Sequence, residues 1–190
     1  MIRPLYFHNP NQEGFEAIIK HLHSKNYKFI SIEELYSRLE KNDTKGKLAY
    51  ISFDDGWQGN LKLIPIIEKY NVHITIFIAV NPIMSGNFWW EFVAKKVGYT
   101  QMQNFKNLPH DEFESQLKKI KTDVAELQRS AMTIDELETI TKHPLISIQS
   151  HTINHPILTK LPDDLLDFEL RESKKQLEKI TGKSIFAFSY

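Results

Sequence analysis

The feature that most constrains this chain is its rhythm, in which short apolar runs alternate with longer amphipathic segments. Parallel strands need helical crossovers that cover both sheet faces, so this alternation specifies an α/β fold with a largely parallel sheet. Residues 5–7 form a first short strand, and Phe15, Ile18, Ile19 and Leu22 fall at helical spacing over residues 14–24. Phe29-Ile30 is a second apolar run, after which Ser31 can cap a helix opening with Ile32-Glu33-Glu34. Lys45-Gly46-Lys47 marks a turn before a clear strand, Leu48–Phe53. Residues 60–70 predict a helix, and residues 73–80 a strand buried on both faces. Thr133 and Glu136 form a capping box at the start of another helix, and residues 146–148 a short buried strand. A long helix over residues 162–181 stops at Gly182, with residues 185–188 as the next strand.

Residues 81–130 fit this rhythm least well. They hold Phe88-Trp89-Trp90 and then a charged helical run over residues 111–123, read as a solvated helix face. The stretch is expected to be an insertion between strands, without a core of its own. Residues 1–190 are thus read as one domain, about the size at which a single core buries most of the chain's apolar surface. Because the pattern ends directly after a strand, the domain is expected to be incomplete at its C-terminal end.

Composition removes several classes of function. Lys plus Arg (24) equals Asp plus Glu (24), so no net field draws the chain to nucleic acid. There is no cysteine, so a transition-metal site must use His, Asp or Glu. No segment has the ~20 continuous apolar residues of a membrane-spanning helix. Met1-Ile2-Arg3-Pro4-Leu5-Tyr6-Phe7-His8 lacks a signal-peptide pattern, and the compartment and oligomeric state are left open.

Two motifs carry chemistry. In Ile51-Ser52-Phe53-Asp54-Asp55-Gly56, an apolar strand ends in adjacent carboxylates. Strand carboxyl ends are where α/β folds hold ligands, and two acids there can divide the work between binding a cation and acting as a base. Taken singly, the motif is also what an ordinary Asp-Gly turn looks like. In Ser150-His151-Thr152-Ile153-Asn154-His155-Pro156, two histidines four apart would share one face of a helical turn and could share a metal. Such a pair is often incidental when it stands alone. Both motifs follow predicted strands, which places them at one end of the sheet, and two histidines with a carboxylate form a catalytic zinc set.

Phe53-Asp54-Asp55-Gly56 resembles the first motif of the polysaccharide deacetylases of carbohydrate esterase family four, and Ser150–Pro156 resembles the second. Gly56-Trp57-Gln58-Gly59-Asn60 is similar to the run after the first motif. Leu161, Glu169, Ser173, Leu177 and Ile180-Thr181-Gly182-Lys183 are similar to the helix after the second. Ile185-Phe186-Ala187-Phe188-Ser189-Tyr190 resembles the start of the third, with Ser189 where proline is usual. Gln149 stands where a small residue is common and is expected to be a packing variation.

The resemblance implies a distorted (β/α) barrel and a metal-dependent hydrolase that removes N-acetyl groups from an amino-sugar polysaccharide. It implies Asp54 as general base, Asp55, His151 and His155 as metal ligands, and Tyr190 as the residue whose backbone N–H meets the oxyanion. Zinc suits that ligand set best, and cobalt, nickel or iron also fit. The general-acid histidine and the carboxylate orienting the base belong to later motifs outside residues 1–190, so these residues alone are expected to turn over weakly or not at all. Two alternatives stay open: O-deacetylation of a xylan-type polymer, and carbohydrate binding without turnover. Trp89 and Trp90, with Phe88 and Glu91, could face a sugar but are favoured as packing, and His8 is favoured as a surface histidine.

Overall fold

The computed structural model describes residues 1–190. Five strands, β1 (Ile2–Phe7), β2 (Lys28–Phe29), β3 (Leu48–Phe53), β4 (Ile74–Ile78) and β5 (Ile146–Ser150), form one parallel sheet. The order is β1-β3-β4-β5, with β2 paired to Leu48 and Ala49 of β3. β1 and β5 do not pair with each other, so the ladder is open. Residues 185–188, expected to be a strand, contribute one isolated parallel bridge between Phe188 and Ser150.

Helices cover the sheet. α1 (Gln12–Ser24) starts at Asn11, whose side chain accepts the Gly14 N–H at 2.7 Å. α2 (Ile32–Glu40) is capped by Ser31 as its sequence predicts. The helix expected over residues 60–70 divides into a 3₁₀ segment, Gln58–Leu63, and α3 (Ile64–Lys69), with Pro65 in the first turn of α3. The strand expected over residues 73–80 ends at Ile78, and α4 (Val80–Ser85) follows.

Next come α5 (Trp89–Val97), α6 (Tyr99–Phe105) and α7 (His110–Asp123). These three do have a core of their own, contrary to the sequence expectation. Trp89, Val93, Met102, Phe105, Phe113, Leu117 and Ile120 pack together there. The charged positions of α7 face outward while Phe113, Leu117 and Ile120 line its buried side, the usual economy of an amphipathic helix.

α8 (Ile134–Ile140) opens with a complete capping box: Thr133 Oγ1 accepts the Glu136 N–H and Glu136 Oε2 accepts the Thr133 N–H. α9 (Asp163–Thr181) ends at Gly182, whose φ of 65° permits the left-handed stop. The main core lies between sheet and helices and includes Phe15, Ile19, Ile51, Phe53, Ile67, Ile76, Ile78 and Leu177.

In-register parallel pairing brings the strand carboxyl ends to one rim. Phe7 is opposite Phe53, Phe53 opposite Ile76, and Ile78 opposite Ser150. Backbone bonds continue past the strands: Asp54 N–H to Phe7 O at 2.9 Å, and His151 N–H to Ile78 O at 2.9 Å. The loops bearing both motifs therefore start from adjoining points on a rigid edge.

Candidate metal centre

The Asp54-Asp55-Gly56 turn is tight, with the Gly56 N–H donating to Asp54 O at 3.0 Å. Asp55 takes a φ of 77° and Gly56 a φ of 93°. A Cβ on Gly56 would lie 2.8 Å from Ile78 Cδ1, so the residue is required both by its conformation and by close packing. This turn aims the Asp55 carboxylate at the loop after β5.

That loop is not helical. His151 and His155 come together through an irregular turn in which Thr152 (φ 72°) and His155 (φ 54°) are left-handed, replacing the helical face expected from their spacing. The imidazole centroids are 4.6 Å apart. Glu169 of α9 holds the loop from behind: its buried carboxylate accepts the Ile153 and Asn154 N–H groups at 2.8 and 2.9 Å and the Asn154 side-chain amide at 2.6 Å. The His155 N–H donates to Thr152 Oγ1 at 3.0 Å, closing the turn.

His151 Nε2 and His155 Nε2 lie 3.4 and 3.3 Å from Asp55 Oδ1, and one ligand atom from each of the three residues falls within 4.8 Å of the others. Asp55 Oδ1 makes no hydrogen bond although it is buried, while Oδ2 accepts the Trp57 indole N–H at 2.8 Å. His151 donates Nδ1–H to Ser189 O at 2.8 Å, which leaves its Nε2 lone pair directed at Asp55. Two imidazole nitrogens and one unpartnered carboxylate oxygen converging on a single point fit a divalent cation of the zinc type.

Asp55 and His151 also shift each other's titration. Burial acts to raise the pKa of Asp55, but the neighbouring imidazoles of His151 and His155 overcome it and hold the carboxyl well below the usual range. Burial also acts against a charged His151, yet Asp55, with Asp54 behind it, raises the imidazole above its ordinary value. Asp54 goes the opposite way from Asp55. Burial pushes its pKa up, His151 draws it partly back, and the Asp55 charge adds to the rise. Its Oδ1 is buried without a hydrogen-bond partner.

Of the residues singled out from sequence, Asp54, Asp55, His151 and His155 thus meet at one rim. Tyr190 lies with Ser189 along a cleft of about 220 Å³ that His151 and His155 also line. Its phenol ring is exposed and stacks on Phe188. A second cavity, of about 610 Å³, adjoins the centre and is lined by His8, Asp55, Trp57, Trp90 and His155 among others. Trp89 is buried as expected, donating its indole N–H to His155 O at 2.9 Å. Trp90 is half-buried, stacked on Phe88 and edge-on to His155.

The polysaccharide deacetylase family model matches residues 41–190. The chain belongs to the polysaccharide deacetylase family. YxkH of Bacillus subtilis (strain 168), which carries a provisional description as a polysaccharide deacetylase, is 24% identical over 183 residues, 95% of this chain and 50% of YxkH. The chain therefore spans about half the length of that relative. Among solved structures, the Streptococcus pyogenes deacetylase PplD in complex with acetate superposes with a TM-score of 0.71 at 20% identity, covering 100% of this chain and 73% of PplD. The polysaccharide deacetylase BA0330 of Bacillus anthracis, also a provisional assignment, gives 0.66 at 20% identity, covering 100% and 50%. These structures share the fold.

Three features of this deacetylase-family chain have no signal in the motifs themselves. Trp57 orients Asp55, although its place directly after Gly56 was a hint. Ser189 offers His151 its carbonyl, an acceptor that any residue type supplies. Gln149, expected to be a packing variation, is a buried clamp. Its Oε1 accepts the Phe186 and Ala187 N–H groups at 3.0 and 2.9 Å and so fixes the segment that delivers Ser189 O.

Proposed function

We propose that this protein is a metal-dependent hydrolase that removes N-acetyl groups from an amino-sugar polysaccharide. The observation that supports the reading most is the convergence of Asp55, His151 and His155 around one unpartnered carboxylate oxygen, with a second, differently tuned carboxylate beside it. Family membership supplies the class of substrate, and the acetate bound to PplD is the product such a reaction leaves.

Asp55, His151 and His155 are the residues that would hold the metal, and zinc is the ion their donor set favours. A divalent cation there would supply Lewis acidity to an acyl carbonyl and lower the pKa of a water. Asp54 is the general base. Burial gives its free oxygen a raised proton affinity, so it can take the proton of the attacking water at Oδ1. Trp57 and Ser189 keep Asp55 and His151 oriented, which saves reorganisation during the reaction. The backbone N–H of Tyr190, along the same cleft, is assigned to the developing oxyanion.

The test is acetate release from β-linked N-acetylglucosamine oligomers and from acetylated xylan, before and after chelation and with zinc returned. Release from the amino-sugar oligomers that chelation abolishes and zinc restores supports the reading. Release that survives chelation, or release from xylan alone, overturns it.

A further inference from the structure

The chain carries no net charge, yet its lysines are unevenly placed. Residues 25–27, 41–47, 141–145 and 182–184 are the loops leading into the amino ends of β2, β3, β5 and the segment 185–188. They hold Lys25, Lys41, Lys45, Lys47, Lys142 and Lys183, all exposed, against one acid, Asp43, which Arg38 Nη1 meets at 2.7 Å. The loops adjoin, since the Lys28 N–H donates to Lys47 O and the Ile74 N–H to Leu145 O, each at 2.9 Å. At the opposite end of the sheet, residues 8–11, 54–57 and 151–162 hold Asp54, Asp55 and a single lysine, Lys160.

Local duties account for only part of this cluster. Lys47 Nζ and Lys183 Nζ donate to the Lys25 and Thr141 carbonyls at 3.2 and 2.5 Å. Lys25 and Lys41 follow directly on α1 and α2, where a cation also suits the helix dipole. Lys45 has neither role, and Lys25, Lys41, Lys45 and Lys142 make no ion pair. On the flanking helix ends Glu68 meets His143 Nε2 at 3.2 Å and Glu178 accepts the Ile185 N–H at 3.1 Å, which leaves Glu40 and Glu138 as the exposed acids. Beside the cations, α2 presents apolar surface to solvent. Ile32 is its one buried residue, while Tyr36 and Leu39, three positions apart on one stripe, are 54% and 55% exposed. Tyr36 continues the patch to the exposed Phe186, their ring centroids 6.0 Å apart.

We infer that this end of the molecule docks on an anionic phospholipid bilayer, with Tyr36 and Leu39 of α2 in the headgroup region and the lysines against lipid phosphates. Tyrosine and leucine flanked by lysine are the residues that settle a helix at a membrane interface, and a cluster of about four to eight cations is the size that anionic lipid attracts. The basic loops lead into strands of one sheet, about 5 Å apart, so the charge is spread over a broad face that matches a surface better than a single polymer strand. β3 has six residues and is about 20 Å long, so the candidate centre stands about that far from the lipid and faces away from it. The inference does not depend on the proposed reaction.

The experiment sediments the purified protein with sucrose-loaded vesicles of phosphatidylglycerol or of phosphatidylcholine, at low salt and at about 1 M salt. The wild type is expected to sediment with phosphatidylglycerol, to stay in solution with phosphatidylcholine, and to be released by the high salt. Lys41→Gln with Lys45→Gln is expected to weaken the binding about 25-fold, at about fivefold for each lysine. Tyr36→Ser with Leu39→Ser is expected to weaken it about tenfold through the lost apolar contact. All four side chains are exposed or carry only edge contacts, and the thermal midpoint checks that each variant is folded. Sedimentation with phosphatidylcholine as well, or unchanged binding in either folded variant, overturns the inference. Failure of the folded wild type to bind phosphatidylglycerol vesicles overturns it too, and if soluble polyphosphate is bound instead, the face belongs to a linear polyanion.

Discussion

Asp55, Thr152 and His155 hold left-handed backbone conformations that each cost about 1–3 kcal/mol, and all three belong to the loops of the candidate centre. The other non-glycine residues with positive φ are Asn26, Asn42 and Asn71, a type that tolerates the region. The unpartnered buried polar atoms show the same concentration, since Asp54 Oδ1, Asp55 Oδ1 and His155 Nδ1 are three of seven in the molecule. Both costs are concentrated where a ligand can offset them, which is the physical reason to read these loops as a site. Asp54→Asn keeps the shape of the side chain and removes its basicity, so it is expected to retain metal while losing turnover by about 10²–10⁴-fold. Metal analysis beside initial rates checks this, and loss of metal would move Asp54 into the ligand set. Gln149→Ala leaves the Phe186 and Ala187 N–H groups without their acceptor and loosens the carbonyl that fixes His151. Metal affinity is expected to fall about 10–100-fold, read by chelator competition; unchanged affinity would reduce Gln149 to packing. The acids and histidines were legible in the sequence because strand ends announce themselves. The clamp was not, because its partners are backbone groups some 37 and 38 positions away.

The elements divide by length in how well the sequence foretold them. α1 and α9 repeat their apolar spacing over several turns and were found close to their true bounds. α5 and α6 have nine and seven residues, too few turns for the period to emerge, so the core they share with α7 was invisible until they packed. The loop of His151–His155 was misread for a related reason. Spacing of four also arises in a loop held by side chains, and Glu169 of α9 supplies that hold. Glu169→Ala would leave the buried Ile153 N–H without an acceptor and release the partly buried Asn154 N–H, so a loss of about 2 kcal/mol is expected from urea unfolding. A loss below about 1 kcal/mol would mean that the loop keeps its turn without α9.

For the molecule as a whole, one parallel sheet places both motifs on a common rim, and the helices join around it through charge as well as apolar contact. Glu16 of α1 accepts Lys69 Nζ at 2.8 Å and the Tyr70 hydroxyl at 3.0 Å, tying α1 to the end of α3. These bonds lower its pKa from 4.5 to about 2. A carboxyl depressed on folding stabilises fully above its unfolded value, and that contribution disappears as pH falls from 4.5 through about 2. Glu16→Gln is therefore expected to flatten the pH dependence of unfolding across that window, with little change in slope at neutral pH. An unaltered acid slope would place the dependence elsewhere. The account as a whole depends on the three-residue centre, and the most direct measurement is metal content of the purified protein, wild type beside His151→Ala. The expected result is about one divalent ion per wild-type chain and a loss of it in the folded variant. A folded wild type that takes up no metal, or a variant that keeps it, would contradict the assignment of Asp55, His151 and His155.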